Sequence, residues 1–339
     1  MSRHRTQQGM VLIFSLWVLG ILTILAVSVA VGIRQKIFLI RRLDERSRME
    51  YLLQAAVKKA AGFIHEQMAV SSAMINPQVK MNLFNNTHEL SQIKLGQDSS
   101  GVWYMAWFGA RSSLRWGVVD EESKINLNKT DQLTLTNLLA RVLSLKEEDA
   151  VRLALALLDW RKVGEGELHG YFSDDYYSNL QYPYLKKSAP YETLNEILLV
   201  KGMNKKMYDK IINYITIYGD GAVNVNTASQ EVLLALGLPE ELVDKILSVR
   251  RGKDGMDATP DDHVFKQSYE IAADINALIR LNLDEAHMID VLNNKGLLTT
   301  NSFYFTIKAA GKLWARPNFK TVRAIYSARD DKIIYWTER

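Results

Sequence analysis

The sequence predicts an α+β protein: a long N-terminal helix laid on an antiparallel sheet, with a large all-α domain inserted between strands. Three observations predict it. Residues 10–33 form a run of 24 residues without a charge. Strand patterns stand near both ends of the remaining body, and the roughly 180 residues between them read as helices. With 339 residues, 47% of them hydrophobic, the chain is long enough to bury a substantial core. Its 6 Pro and 19 Gly are too few for a disordered or collagen-like chain. The absence of cysteine excludes a disulfide framework, a thiolate metal site and a cysteine nucleophile. The net charge of +4 belongs to one end: residues 1–42 hold six Lys or Arg and no acid, which leaves 36 basic against 38 acidic residues elsewhere. A body without excess positive charge argues against nucleic-acid binding by bulk charge.

The N-terminal element begins with a short polar leader, residues 1–9, ending at Gly9. The apolar run that follows would be about 36 Å long as a helix, enough to cross a hydrocarbon core of about 30 Å. It is longer than the apolar segment of a cleaved secretory signal, and no small-x-small site ends it before Arg34. A plain single-pass anchor accounts for the run alone. The leader and the run together resemble a type IV pilin-like leader, which a prepilin peptidase cuts between Gly9 and Met10 before methylating the new amino terminus. Mature position five, a glutamate in most such proteins, is Phe14. Over residues 34–76 the helix continues in amphipathic form, with Leu53, Val57, Ala60, Ile64 and Met68 at helical spacing and no proline before Pro77.

The first part of the sheet domain falls in 77–128. Residues 78–101 are polar and read as turns, followed by strands at 102–108 and 114–119. The closing strands lie in 299–339: alternation over 303–309, then candidates at 319–328 and 333–336. The inserted helical domain, 129–298, contains a repeat. EILLVKG (196–202) matches EVLLALG (231–237), the match extends through the Asp-Lys-Ile of 209–211 and 244–246, and LSLKEE (143–148) is a weaker copy of LGLPEE (236–241). Each unit reads as helix, tight turn, helix, with Gly202 and Gly237 where the first helix ends.

These units look like helix-hairpin-helix motifs, and NVNTAS (224–229) is a common lead-in to one. DNA-binding hairpins offer backbone N–H groups to a phosphate. Here Pro239 has none to offer, and Glu240 and Glu241 follow it. Lys205 and Lys206 alone favour DNA, so the hairpins read as packing units. No active site is legible. The six histidines lack metal-ligand spacing, and His65-Glu66 begins a zincin motif that fails at Ala69. Two acidic stretches, Asp159 to Asp175 and Asp254 to Asp262, could offer oxygen ligands to calcium but lack EF-hand spacing, and each reads as a solvated loop.

Together, the leader with Gly9-Met10, Phe14, ALLDW (156–160), DDYY (174–177), SAP (188–190), LNE (194–196), NVNTA (224–228) and WTE (336–338) resemble the type II secretion system protein K family, the K-type minor pseudopilins. The resemblance implies a pilin-like helix and sheet with a helical insert, and a tip position on the periplasmic pseudopilus. It also implies the I- and J-type minor pseudopilins, the prepilin peptidase and the major pseudopilin filament as partners, with an inner-membrane anchor in a Gram-negative bacterium. No nucleic acid and no catalysis are expected. In the family's calcium loop, Asp174 and Asp175, with Glu165 and Glu167 behind them, are the ligand candidates. Arg161-Lys162-Val163-Gly164 and His169-Gly170-Tyr171 depart from the family's acidic pattern there. The alternatives are a membrane-anchored helix-hairpin-helix protein that binds DNA, and a minor pilin of a type IV pilus.

Overall fold

The computed structural model describes residues 4–70, 77–85, 90, 92–94, 101–104, 106–107, 114–162, 174–312 and 320–338. Helix α1 (His4–Val70) and helix α2 (Pro77–Phe84) precede strands β1 (Gln92–Lys94), β2 (Gly101–Tyr104), β3 (Ala106–Trp107), β4 (Leu114–Arg115), β5 (Val119–Asp120) and β6 (Ile125–Asn126). Then come α3 (Gln132–Leu143), α4 (Glu147–Arg161), α5 (Asp174–Ser178), a 3₁₀ turn (Leu194–Leu199), α6 (Lys205–Ile211), β7 (Ile215–Thr216) and β8 (Val223–Asn224). The insert closes with α7 (Gln230–Ala235), α8 (Glu240–Arg250), a 3₁₀ turn (Ser268–Glu270), α9 (Ile271–Leu278) and α10 (Leu283–Asn294). After it stand β9 (Leu298–Thr299), β10 (Tyr304–Lys312), β11 (Lys320–Ser327) and β12 (Lys332–Glu338).

The main sheet runs β1-β2-β10-β11-β12, all antiparallel, and β5 also pairs with β10. The second half of α1 packs on it. Leu53, Ala56, Val57, Ala60 and Ile64 are buried against Phe305, Ile307, Ala309, Val322, Ala324 and Tyr326, and Met68 joins as a partly buried neighbour. The Tyr104 hydroxyl donates to the Ala56 carbonyl at 2.7 Å, tying β2 to the helix. Gly311 permits the close approach: a Cβ there would stand 2.4 Å from the Met49 sulfur and 3.2 Å from Leu53 Cδ2.

Three expectations need correction. The polar stretch after Pro77 holds α2, whose Leu83 and Phe84 are buried; proline suits the first turn of a helix, where its missing N–H is not needed. The single strand expected over 102–108 is divided between β2, in the main sheet, and β3, which among the described residues pairs with β4 in a separate two-stranded sheet. The insert is not wholly helical among the described residues, since β6 pairs β7 and β8 pairs β9 in parallel two-residue bridges. Gly117 sits where the chain turns toward β5, with φ +144° and an added Cβ only 2.3 Å from the Leu83 carbonyl oxygen. Because that neighbour is backbone and cannot swing away, Gly117→Ala is expected to cost about 2–4 kcal/mol, measured by urea denaturation.

The hairpin units are real. Ser144, Gly202 and Gly237 all take left-handed backbone, with φ of 55°, 84° and 91°, at the end of the first helical segment. In the unit around Gly202 that segment is a 3₁₀ turn. Their apolar faces, including Leu138, Leu153, Leu157, Ile197, Leu233, Leu242 and Ile246, share one buried core.

A longer duplication underlies the hairpins. INLN (125–128) recurs as VNVN (223–226), each followed by a capped helix: Asp131 caps α3 and Ser229 caps α7. In both copies the first Asn side chain accepts from the N–H of the second Asn. The second Asn makes a reciprocal pair with a distant backbone: Asn128 with Tyr191, Asn226 with Phe265. Each copy is then closed by its parallel bridge, so two equivalent modules build the insert.

Candidate assembly site

Two features offer assembly chemistry: an exposed apolar spine and the joint that fixes the insert to the sheet. Along α1 the large apolar residues from Met10 through Leu43 face outward, and Phe14 is 71% exposed. The helix is long and apolar enough to cross a membrane, and none of its most apolar stretch is buried within the chain. Water would not tolerate such a surface; lipid or the apolar helices of neighbouring subunits would. Gly9 and Met10 lie on this continuous helix, with Met10 exposed.

The joint is built where the chain leaves the sheet and returns to it. β5 pairs β10 with Asp120 opposite Phe305, and Glu121 N–H donates to the Tyr304 carbonyl at 2.9 Å. Three consecutive acids, Asp120, Glu121 and Glu122, are all buried here. Asp120 accepts from Ser302 Oγ at 2.6 Å, Glu122 N at 2.8 Å, Asn224 Nδ2 at 3.1 Å and the Thr227 hydroxyl. Glu121 accepts from Lys124 Nζ, from Thr216 Oγ1 at 2.6 Å and from the Thr306 hydroxyl. Glu122 accepts from the N–H groups of Phe303, at 3.2 Å, and Tyr304, at 3.0 Å. One acidic turn thus grips both modules and the returning strand. NVNTA, read as a lead-in to a hairpin, supplies Asn224 and Thr227 to this grip.

The three acids differ in charge. Burial would raise Glu121, but Lys124 and Arg323 hold it down to about 2. Burial pushes Asp120 up to about 6 against the hydroxyls that hydrogen-bond to it. Burial, and then the Asp120 carboxylate, push Glu122 up to about 8. An acid raised by folding holds its proton more tightly when folded, so its stabilisation is complete below about 4.5 and is lost as pH rises through 8. The chain is therefore expected to lose about 2–4 kcal/mol between pH 5 and 8. Glu122→Gln should flatten most of this slope in a series of thermal melts. The window stops at 8 because Lys80 and Lys308, each lowered to about 8, contribute with the opposite sign above it.

A second joint lies close by, with Asp257 lining the same small pocket as Asp120. Lys80, fully buried on α2, stands 2.6 Å from Asp262 and 4.0 Å from Asp257 of the insert. Asp257 also binds Arg250 at 2.7 Å and Arg251 at 3.1 Å, and Arg250 reaches the Val225 and Ala228 carbonyls. The acidic stretch 254–262, expected as a solvated loop, instead balances protein cations. Ala258 and Val264 from the same loop enter the sheet domain's core.

Of the calcium candidates, Asp174 and Asp175 open α5 and have only their backbone described, and Glu165 and Glu167 lie outside the described residues. Asp159, at the start of that stretch, is buried and paired with Lys186 at 3.1 Å. Around it Trp160, Tyr177 and Tyr184 form a ring cluster with centroids 5.4–6.3 Å apart. No group of three or more potential metal-ligating side chains is present among the described residues. Lys205, a DNA-compatible residue in the sequence, pairs with Asp209.

An apolar helical spine long enough to cross a membrane, a sheet packed on its second half, and a helical insert held between strands define a pilin-like fold carrying an added domain. Residues 118–220, which span the first Asn-x-Asn module, match the family model of type II secretion system protein K, first domain. The fold is similar to that of a chain in the crystal structure of the GspK-GspI-GspJ complex from the type 2 secretion system of enterotoxigenic Escherichia coli. The TM-score is 0.64 at 14% identity, covering 88% of this chain and 99% of that one. No curated protein sequence matches significantly. A type II secretion protein K domain is thus matched over residues 118–220, and beyond it the likeness is one of fold.

Proposed function

We propose that this chain is the tip subunit of a periplasmic pseudopilus, assembling with I- and J-type minor pseudopilins to initiate or cap the filament that exports folded proteins across the outer membrane. The carrying observation is the pairing of an exposed apolar spine with a bulky insert rooted on the sheet at two buried joints. A spine of this kind can enter a helical bundle of subunits, while an insert held this firmly would obstruct further subunits stacked above it. The similar chain belongs to a GspK-GspI-GspJ complex, which supports the same partners here. Phe14 in place of a glutamate removes the carboxylate that could pair with a neighbour's terminal amine, in keeping with a subunit that has no neighbour above.

In this reading a prepilin peptidase cuts after Gly9 and the new terminus at Met10 is methylated. The apolar helix holds the subunit in the inner membrane with the rest in the periplasm. The protein acts by assembly, with no catalytic step and no required cofactor. Intact-mass measurement of the protein from its native membrane tests the first part: a chain starting at methylated Met10 is expected, and a retained leader beside an active peptidase would refute it. Co-purification of I- and J-type pseudopilins with the tagged full chain tests the second, and failure to recover either partner would refute the tip assignment.

A further inference from the structure

A cleft of about 320 Å³ lies between the face of the sheet turned away from α1 and the insert. Its charged wall residues are Lys124, Lys308, Arg323 and Asp209. Asp209 is engaged by Lys205. Behind the wall, Glu121 pairs with Lys124 and stands 3.8 Å from Arg323, so one carboxylate faces three cations. Lys308 has no carboxylate at ion-pair distance among the described residues, and Arg323 Nε is buried without a hydrogen-bond partner.

The arrangement works against the stability of the sheet. Lys308 and Arg323 are directly opposite in the β10–β11 register, where like charges repel. Burial, and then Lys124 and Arg323, lower Lys308 to about 8, a sign of uncompensated positive charge. Tyr218 and Tyr335 also line the cleft and bring hydroxyl donors. Its volume is at the low end for small-molecule sites, which run from roughly 300 Å³ upward.

We propose that this cleft binds a multivalent oxyanion, in the size range from phosphate to citrate, through Lys308 and Arg323 with Lys124 behind them. Two uncompensated cations favour a divalent or trivalent ligand over chloride, and charge-assisted hydrogen bonds supply the affinity. The bound anion would also bridge the sheet and the insert.

The test is thermal denaturation and calorimetric titration of the full chain in detergent, with phosphate, citrate or chloride at equal ionic strength near pH 7. A saturable rise in Tm with phosphate or citrate, beyond that with chloride, is expected. Lys308→Met should weaken binding at least about tenfold while leaving the unliganded Tm unchanged or higher, because it removes the cross-strand repulsion. Arg323→Gln provides a second variant should the first not fold. No shift beyond chloride, or an equal shift in the wild type and a folded variant, would overturn the proposal.

Discussion

Replacing Asp120 with alanine is expected to cost about 3–5 kcal/mol and to loosen the insert from the sheet before the rest unfolds. The carboxylate accepts from Ser302, Asn224, Thr227 and the Glu122 N–H, contributed by the acidic turn, the second module and the returning strand. Each buried donor left without a partner costs about 1–3 kcal/mol, although the two hydroxyls can turn elsewhere and recover part of it. Asp120→Asn keeps an acceptor and should cost about half as much. Urea denaturation gives the magnitude, and limited proteolysis gives the place. Cleavage in D120A should begin between 119 and 126 or between 298 and 304, and release the helical region. Cuts confined to the ends of α1 would contradict this account of the joint.

Lys80→Ala is expected to cost a similar amount, about 3–5 kcal/mol, because it strands a buried carboxylate. Asp262 lies 2.6 Å from the ammonium group and is fully buried, whereas Asp257 keeps Arg250 and Arg251. The penalty should therefore reside in Asp262. The double variant Lys80→Met, Asp262→Asn should recover most of the loss, since removing both partners costs far less than orphaning one. A double variant no more stable than K80A would shift the explanation to lost packing of the lysine stem.

Much of the scaffold was legible because its signals are long. The uncharged run and the spacing of Leu53, Val57, Ala60 and Ile64 describe α1 and its buried face, and alternation from Phe303 to Ala309 describes most of β10. The hairpin turns were legible through Gly202 and Gly237. The joints were not. Three acids in a row carry no sequence pattern that marks them as buried, and only the tertiary structure supplies the donors that bury them. Lys80, on a short polar segment, carries no pattern that marks it as buried. The duplicated module rests on Asn-x-Asn side chains binding distant backbone and on two-residue bridges, too short for strand periodicity to register. The one signal that could have found it was the recurrence of INLN as VNVN.

The side-by-side crossing at Asp120 and Phe305 has a topological consequence. β5 and β10 are the two arms of an antiparallel hairpin, and the whole helical insert is its loop. A tight turn joining Asp120 to Tyr304 would close the sheet without moving a strand, but the frame would lose Ala258 and Val264 from its core and the carboxylates that balance Lys80. The insert can change in size or surface elsewhere, provided that its two ends still meet at that point and the loop from Asp257 to Val264 still covers Lys80.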